Sequence, residues 1–148
     1  MNIKTVLFCA ILIETFINGT FVHPCANVEQ PAKDSSQLLA QLVANANETH
    51  AINAGWTDIT DEQLTTICTD YPNLKQLCLG GCKKLHRFDL GSLKQLTILD
   101  VSATDITDEQ LTTICANNPG IEQLNFLMCK ALNQFNLNPL RQLTKLEA

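Results

Sequence analysis

The residues of this sequence best suited to chemistry are its seven cysteines and three histidines. Cys78, Cys82 and His86 are each separated by three residues, and thiolate and imidazole groups are the usual ligands of structural zinc. A strand through Cys78 would turn its side chain outward, whereas Cys82 lies beyond the strand and is expected to point inward. The corresponding residues 47 positions later are asparagine, cysteine and asparagine. We therefore predict no metal site.

Motifs for hydrolytic catalysis are missing from the sequence. It contains neither the nucleophile elbow G-x-S-x-G nor the zinc-binding helix H-E-x-x-H. His23 lies in a proline-containing segment near the N-terminus and His50 lies beside the first repeated segment, so each is expected at the surface. We predict that the chain is not an enzyme, has no catalytic residues and uses no cofactor.

Composition and charge limit the classes of partner. The 148 residues are 45% hydrophobic, which is typical of a globular or solenoid domain and not of a disordered chain. Fifteen acidic and ten basic residues give a formal net charge of −5, and no cluster of Lys and Arg stands out. Attraction to a phosphate backbone therefore has no electrostatic basis, and we predict no nucleic-acid partner.

The N-terminus has the pattern of a secretory signal peptide. Lys4 precedes the apolar run TVLFCAILI, which is too short to span a bilayer and ends at Glu14. We predict that residues 1–19 are removed and that the mature chain is secreted, contains no membrane segment and is glycosylated at the sequon of Asn47. An uncleaved signal anchor is the alternative.

An eleven-residue segment, DITDEQLTTIC, occurs at 58–68 and again, unchanged, at 105–115. The similarity extends beyond it, because LKQLCLGGCKKL (74–85) aligns with IEQLNFLMCKAL (121–132) at the same separation. Each 47-residue unit divides in two, because the spacing L-x-x-L-x-L recurs within it. Such a period indicates a repeat array, with copies 1 to 5 starting near residues 49, 74, 96, 121 and 143 and the last one incomplete.

The pattern resembles the leucine-rich repeat, L-x-x-L-x-L-x-x-(N/C)-x-L, over residues 49–148. Cys82 and Cys129 hold the N/C position of the short copies, and Thr57 and Thr104 hold it in the long ones. The resemblance implies an α/β solenoid, with a short curved parallel sheet on the concave side and helices or irregular segments on the convex side. The segment ITDEQLTTIC is similar to the cysteine-containing repeats of F-box proteins, although no F-box sequence precedes it.

The repeated segment has the sequence features of a helix N-terminus. Thr60 is placed as the N-cap, and Gln63 three residues later completes a capping box, so that each side chain satisfies a free backbone N–H. Asp61 lies in the first turn, where the helix dipole favours negative charge. Ile59 and Leu64 have the spacing of a hydrophobic staple. We predict a convex helix in each long copy.

Outward-facing residues of the predicted strands form the candidate binding face, because the intervening leucines must fill the core. Large apolar side chains among polar ones at such positions are typical of a protein interface, so we predict a protein partner. Trp56 could instead pack beneath the N-terminal helix. The predicted partner-binding residues are Trp56, Gln76, Cys78, Ile98, Asp100, Gln123, Asn125, Leu127 and Met128.

Two elements flank the repeats. Residues 20–32 are expected to be an irregular lead-in, and residues 33–48 an amphipathic helix, capped by Asp34 or Ser35, that covers the first copy. At the other end the last copy has no cap, so we expect either that the sequence is a fragment of a longer array or that its strand edge is a surface for self-association. The alternatives to a secreted binding module are therefore a self-associating structural array and, by resemblance alone, the cytoplasmic substrate receptor of an SCF-type ubiquitin ligase.

Cysteine pairing follows from the period. Cysteines 47 positions apart should lie two strands apart, roughly 10 Å, which exceeds the reach of a disulfide. Four cysteines are therefore predicted to be buried thiols: Cys68, Cys82, Cys115 and Cys129. Cys78 should face outward and Cys25 lies in the lead-in, so a Cys25–Cys78 bridge is the pairing to test.

Overall fold

A computed structural model describes residues 34–44 and 50–148 of the chain. The predicted signal peptide (1–19) and lead-in (20–32) lie outside the described residues, as do Cys25 and Asn47. No helix in the described part of the chain is long and apolar enough to cross a bilayer.

Five short strands form one parallel sheet in which each strand pairs with the next along the chain. They are β1 (Ala51–Asn53), β2 (Gln76–Cys78), β3 (Ile98–Asp100), β4 (Gln123–Asn125) and β5 (Lys145–Glu147). The leucine pattern sets the register, because Leu77, Leu99 and Leu124 are direct partners on neighbouring strands. The predicted α/β solenoid is confirmed.

Helices occur before the sheet and in the two long copies. Helix α1 (Ser35–Ala44) precedes β1, whereas α2 (Asp61–Asp70) and α3 (Asp108–Asn117) follow β1 and β3. Both copies of the capping box form as predicted. The hydroxyl groups of Thr60 and Thr107 each accept the backbone N–H of the glutamine three residues later, and the side-chain oxygen of that glutamine accepts the backbone N–H of the threonine.

The core is a single cluster that runs the length of the array. Leu74, Leu96 and Ile121 are each at most 1% exposed, and they are equivalent residues of successive copies. Leu64 and Leu111 bring the convex helices onto this cluster at exposures of 1% and 0%. Each copy therefore buries its apolar face only against its neighbours, as expected for a solenoid.

The second aspartate of the repeated segment joins each long copy to the short copy that follows. Asp61 Oδ1 accepts the backbone N–H groups of His86 and Arg87 at 2.8 and 2.9 Å. Asp108 accepts those of Asn133 and Gln134 at 2.8 Å each. We call these two contacts the aspartate clamps; they explain why the segment is repeated with its carboxylate intact.

The first aspartate of the segment has two different environments. Asp58 Oδ1 accepts the N–H of Ser35, the first residue of α1, at 3.1 Å, and Lys84 Nζ lies 3.1 Å from Asp58 Oδ2. These contacts, with Ser35 first, lower the pKa of Asp58 well below its usual range. Asp105, its equivalent, has no hydrogen-bond or ion-pair partner among the described residues. Asp58 thus positions α1, whose Leu38 is 4% exposed, over the first copy.

We expect Asp58→Ala to loosen α1 and Asp105→Ala to have no measurable effect. The two sites share the same flanking residues, so they form a matched pair. Limited proteolysis should cleave the Asp58→Ala chain within α1 faster than the wild type, because α1 loses the carboxylate at its N-terminus. Equal cleavage rates for the two variants would show that apolar packing by residues such as Leu38 and Leu39, and not Asp58, holds the helix.

Candidate functional site

The third residue of each copy lies on a strand and is half-buried. Gln76, Ile98 and Gln123 were predicted to face outward, and each retains part of its surface. They are direct partners on β2, β3 and β4. The sheet therefore presents a row of partly accessible side chains with an isoleucine between two glutamines.

The fifth residue of copies 2, 3 and 4 is buried, although it was predicted to face outward. Cys78, Asp100 and Asn125 are 2%, 0% and 2% exposed. For the two polar residues the reason is that Asp100 Oδ1 accepts the N–H of Ser102 at 2.8 Å and Asn125 Oδ1 accepts that of Leu127 at 3.0 Å. Both side chains turn back on their own backbone. The expectation that these three residues form an exposed surface was wrong, because strand alternation alone does not show such turns.

Cys78 is disulfide-bonded, and its partner lies outside the described residues. The other cysteines in the described part of the chain are free thiols. Those cysteines are Cys68, Cys82, Cys115 and Cys129. The sequence contains two further cysteines, Cys9 and Cys25, and the Cys25–Cys78 pairing stays a prediction.

The free thiols are structural. Burial raises the pKa of Cys68 to about 12 and that of Cys115 to about 11, so neither ionises readily. Cys82 and Cys129, whose pKa values burial also raises, donate to the carbonyl oxygens of Ala54 and Val101. The prediction of buried thiols is confirmed for three of the four, while Cys129 is half-buried.

The eighth residue of each of copies 1 to 4 has a positive φ angle. We call this set the rim row, because it lies where each strand leads out of the sheet. Its members are Trp56 (φ 61°), Gly81 (74°), Ala103 (52°) and Met128 (65°). Trp56 is 71% exposed and Met128 is 48% exposed. Bulky residues rarely adopt this conformation, so the two largest exposed side chains of the row occupy strained backbone.

The family described as the At1g61320/AtMIF1 LRR domain matches residues 59–148, which is more than half of the chain. The chain is a leucine-rich repeat protein. Domains of this class generally serve as protein-interaction modules and not as catalysts. Neither the curated proteins nor the solved structures gave a significant match to this chain.

Trp56 rests on the neighbouring repeat and is not packed beneath α1. A Cβ atom built on Gly81 would lie 2.5 Å from Cδ2 and Cε3 of the indole. Gly81 therefore supplies both a positive φ and the space that the ring occupies. One face of the indole lies against the repeat backbone, and the exposure of the residue leaves the other open to a partner.

We expect Gly81→Ala to lower the free energy of unfolding by about 1–3 kcal/mol, because it adds a left-handed alanine and displaces the indole. In the Trp56→Gly variant, Gly81→Ala should lower the free energy of unfolding by less, since only the unfavourable φ of the alanine remains. Urea denaturation of the wild type, the two single variants and the double variant gives the coupling energy between residues 56 and 81. Ala103→Gly is the control and should not destabilise the protein, whereas zero coupling would contradict the Trp56–Gly81 contact.

The described residues contain no group of three or more His, Cys, Asp or Glu side chains that could hold a metal ion. Cys78 is disulfide-bonded, Cys82 is buried and donates a hydrogen bond, and His86 is exposed, so the three residues do not share a site.

Four predicted partner-binding residues keep accessible apolar surface: Trp56, Ile98, Leu127 and Met128. The positive φ angles of the rim row were not predicted, and the Gly-Gly pair at 80–81 was the one sequence feature that indicated them.

Proposed function

We propose that this leucine-rich repeat protein is a secreted recognition module that binds a protein partner through the outward surface of its sheet. The main support is Trp56, an exposed indole held on strained backbone beside the sheet. Met128, Ile98 and Leu127 add accessible apolar surface among polar neighbours. Tryptophan, methionine and aliphatic anchors with a polar rim are characteristic of protein interfaces.

Secretion is supported by the apolar run after Lys4 and by the sequon at Asn47. The measurement is the intact mass of the protein from its own source, before and after deglycosylation. We expect a chain that begins near residue 20 and loses one glycan. A cytosolic, unglycosylated protein that retains residues 1–19 would contradict secretion and favour the ubiquitin-ligase receptor.

The binding face can be tested with a photo-crosslinking amino acid at residue 98 on β3 and, as a control, at residue 113 on α3. Both side chains keep accessible surface, but only Ile98 lies on the sheet. We expect crosslinks to a discrete partner from residue 98 alone. A partner crosslinked equally from residue 113 would place the contact on the convex side.

Ile98→Ala combined with Leu127→Ala should then weaken the identified partner's binding by about tenfold or more, because buried apolar anchors carry most interface energy. Thr113→Ala is the matched control, and thermal unfolding should show that the chains remain folded. Unchanged affinity in the double variant would exclude the sheet face as the binding surface.

A second candidate function is self-association through β5. This strand pairs with β4 on one side, and Leu146 is 46% exposed although its equivalent, Leu99, is fully buried. The backbone groups on the other side of β5 and the exposed Leu146 could pair with another chain, although Lys145 and Glu147 flank that leucine with an ion pair. Sedimentation analysis of the mature chain should show a concentration-dependent dimer that Leu146→Lys abolishes. A monomer at all concentrations would refute this candidate.

A further inference from the structure

Charged side chains of alternating sign run beside the rim row. The tenth residue of each of copies 1 to 4, two positions after the rim row, is charged and exposed. The ninth residue is buried in copies 1 to 3 and half-buried in copy 4, so the eighth and tenth residues face the same, outward side. We call the tenth residues the charge row. Its members, in the order negative, positive, negative, positive, are Asp58, Lys83, Asp105 and Lys130.

The charge row is not neutralised within the chain. Lys83, Asp105 and Lys130 have no hydrogen-bond or ion-pair partner among the described residues. Asp58 is paired with Lys84, but its side chain is still 51% exposed. The alternating charges are therefore available to a partner that carries the opposite order.

A second copy of this chain carries that order. A two-fold rotation whose axis crosses the charge row between copies 2 and 3 reverses the sequence of signs. Asp58 then lies opposite Lys130 of the second copy, and Lys83 lies opposite Asp105 of the second copy, with each pair present twice. A two-fold interface requires self-complementarity of this kind, whereas a parallel arrangement of the two rows would oppose like charges.

The rim row has a profile that fits the same rotation. The indole of Trp56 extends from copy 1 over Gly81 of copy 2, where a built Cβ atom would lie 2.5 Å from the ring. Copy 3 carries Ala103, which is small and half-buried, and copy 4 carries the exposed Met128. The rotation sets copy 2 of one chain against copy 3 of the other. Each indole therefore meets a small residue beside a methionine, and the two bulky rings do not collide.

We propose that two copies of this protein associate through the rim row and the charge row as an antiparallel two-fold dimer. Trp56 of each copy packs against Ala103 and Met128 of the other, and the ion pairs between the charge rows flank these contacts. Aromatic and methionine side chains at the centre with charges at the edge are characteristic of protein interfaces. The proposal goes beyond the proposed function, because Ile98 belongs to neither row, and it is an alternative to association through β5.

Sedimentation of the mature chain, with and without Leu146→Lys, separates the two routes to self-association. Leu146→Lys removes the contact through β5 and leaves both rows unchanged. We expect a concentration-dependent dimer of equal stability in the two chains. A wild type that is monomeric at all concentrations, or a dimer that Leu146→Lys abolishes, would overturn the rim dimer.

Exchange of charges at the centre of the charge row tests the antiparallel order. Lys83→Glu alone, or Asp105→Lys alone, brings like charges together twice across the axis, so each should weaken dimerisation at least about tenfold. An equimolar mixture of these two variants should form a heterodimer, since opposite charges meet again. Lys94→Glu is the matched control, because this exposed lysine of copy 2 lies outside the charge row. Single variants that dimerise like this control, or a mixture that stays monomeric, would contradict the proposed order.

Fluorescence reports the apolar contact, because Trp56 is the one tryptophan of the chain. Its emission maximum should move to shorter wavelength as the protein concentration rises and the second copy covers the exposed indole. Trp56→Gly, which keeps a residue that accepts positive φ, should abolish the dimer, whereas Ala103→Gly should retain it. An emission maximum that is equal in monomer and dimer would place the interface elsewhere and refute the proposal. Crosslinks from residue 98 test the proposed function separately.

Discussion

Leu99→Ala should lower the free energy of unfolding by about 3 kcal/mol, whereas Leu146→Ala should lower it by less than about 1 kcal/mol. The two leucines are equivalent residues 47 positions apart, and they differ in burial. Leu99 is fully buried between Leu77 and Leu124, while Leu146 is 46% exposed and has Leu124 on one side. The cost follows burial and not residue type.

Urea denaturation followed by circular dichroism measures this difference. The substitution at residue 99 should also reduce cooperativity, because an array is held together by contacts between neighbouring copies and this one lies in the middle. The slope of the transition reports that loss. Equal destabilisation by the two substitutions would mean that Leu146 is covered in solution, as the β5 dimer requires.

Removing both aspartate clamps should be nearly as costly. Asp61→Ala and Asp108→Ala each abolish two hydrogen bonds from backbone N–H groups to a carboxylate. We expect each to cost about 1–2 kcal/mol, since both carboxyls are partly exposed to solvent. The costs should add, because the two sites share no partner. Glu62→Ala is the control, since this first-turn carboxylate is exposed. A cost no larger than that of the control would show that the clamps are not stabilising.

The Asp61 clamp also gives stability a pH dependence. Burial of its carboxyl opposes ionisation, but N–H donation by Arg87 and His86 outweighs this and lowers the pKa of Asp61 in the folded chain. A lowered pKa contributes stability that is fully present above the unfolded value of about 3.9 and is lost as the pH falls through the folded value. Asp61→Asn should therefore be destabilised relative to the wild type at pH 6, with a difference that shrinks below about pH 4.

The sequence predicts those elements whose stabilisation is local or periodic. The capping box of Thr60 needs only residues within one turn, and the register of Leu77 against Leu99 follows from the repeat spacing. These features could be derived from residue order because their partners lie nearby or exactly one copy away.

The sequence does not show where a polar side chain finds its hydrogen bond. Asp100 occupies a position that strand alternation assigns to the surface, yet its carboxylate turns toward the N–H of Ser102. Asp61 was interpreted as a first-turn residue whose negative charge interacts favourably with the helix dipole. Its hydrogen bonds with the backbone N–H groups of His86 and Arg87, 25 and 26 residues later, were not predicted. The strain at Trp56 was equally hidden, because composition carries no φ angle. Each of these features depends on three-dimensional geometry. Together they remove Asp100 from the candidate surface and leave Trp56 and Met128 of the rim row as its most exposed residues.

The aspartate clamps have a consequence for how such a gene can change. Each carboxylate binds main-chain N–H groups, which every residue except proline supplies, so the following copy can vary its side chains without losing the contact. A duplication or deletion of one whole 47-residue unit would place another carboxylate opposite the same kind of backbone. The array can therefore be lengthened or shortened by recombination without a new junction having to evolve, and the exposed rim side chains remain free to diversify from unit to unit.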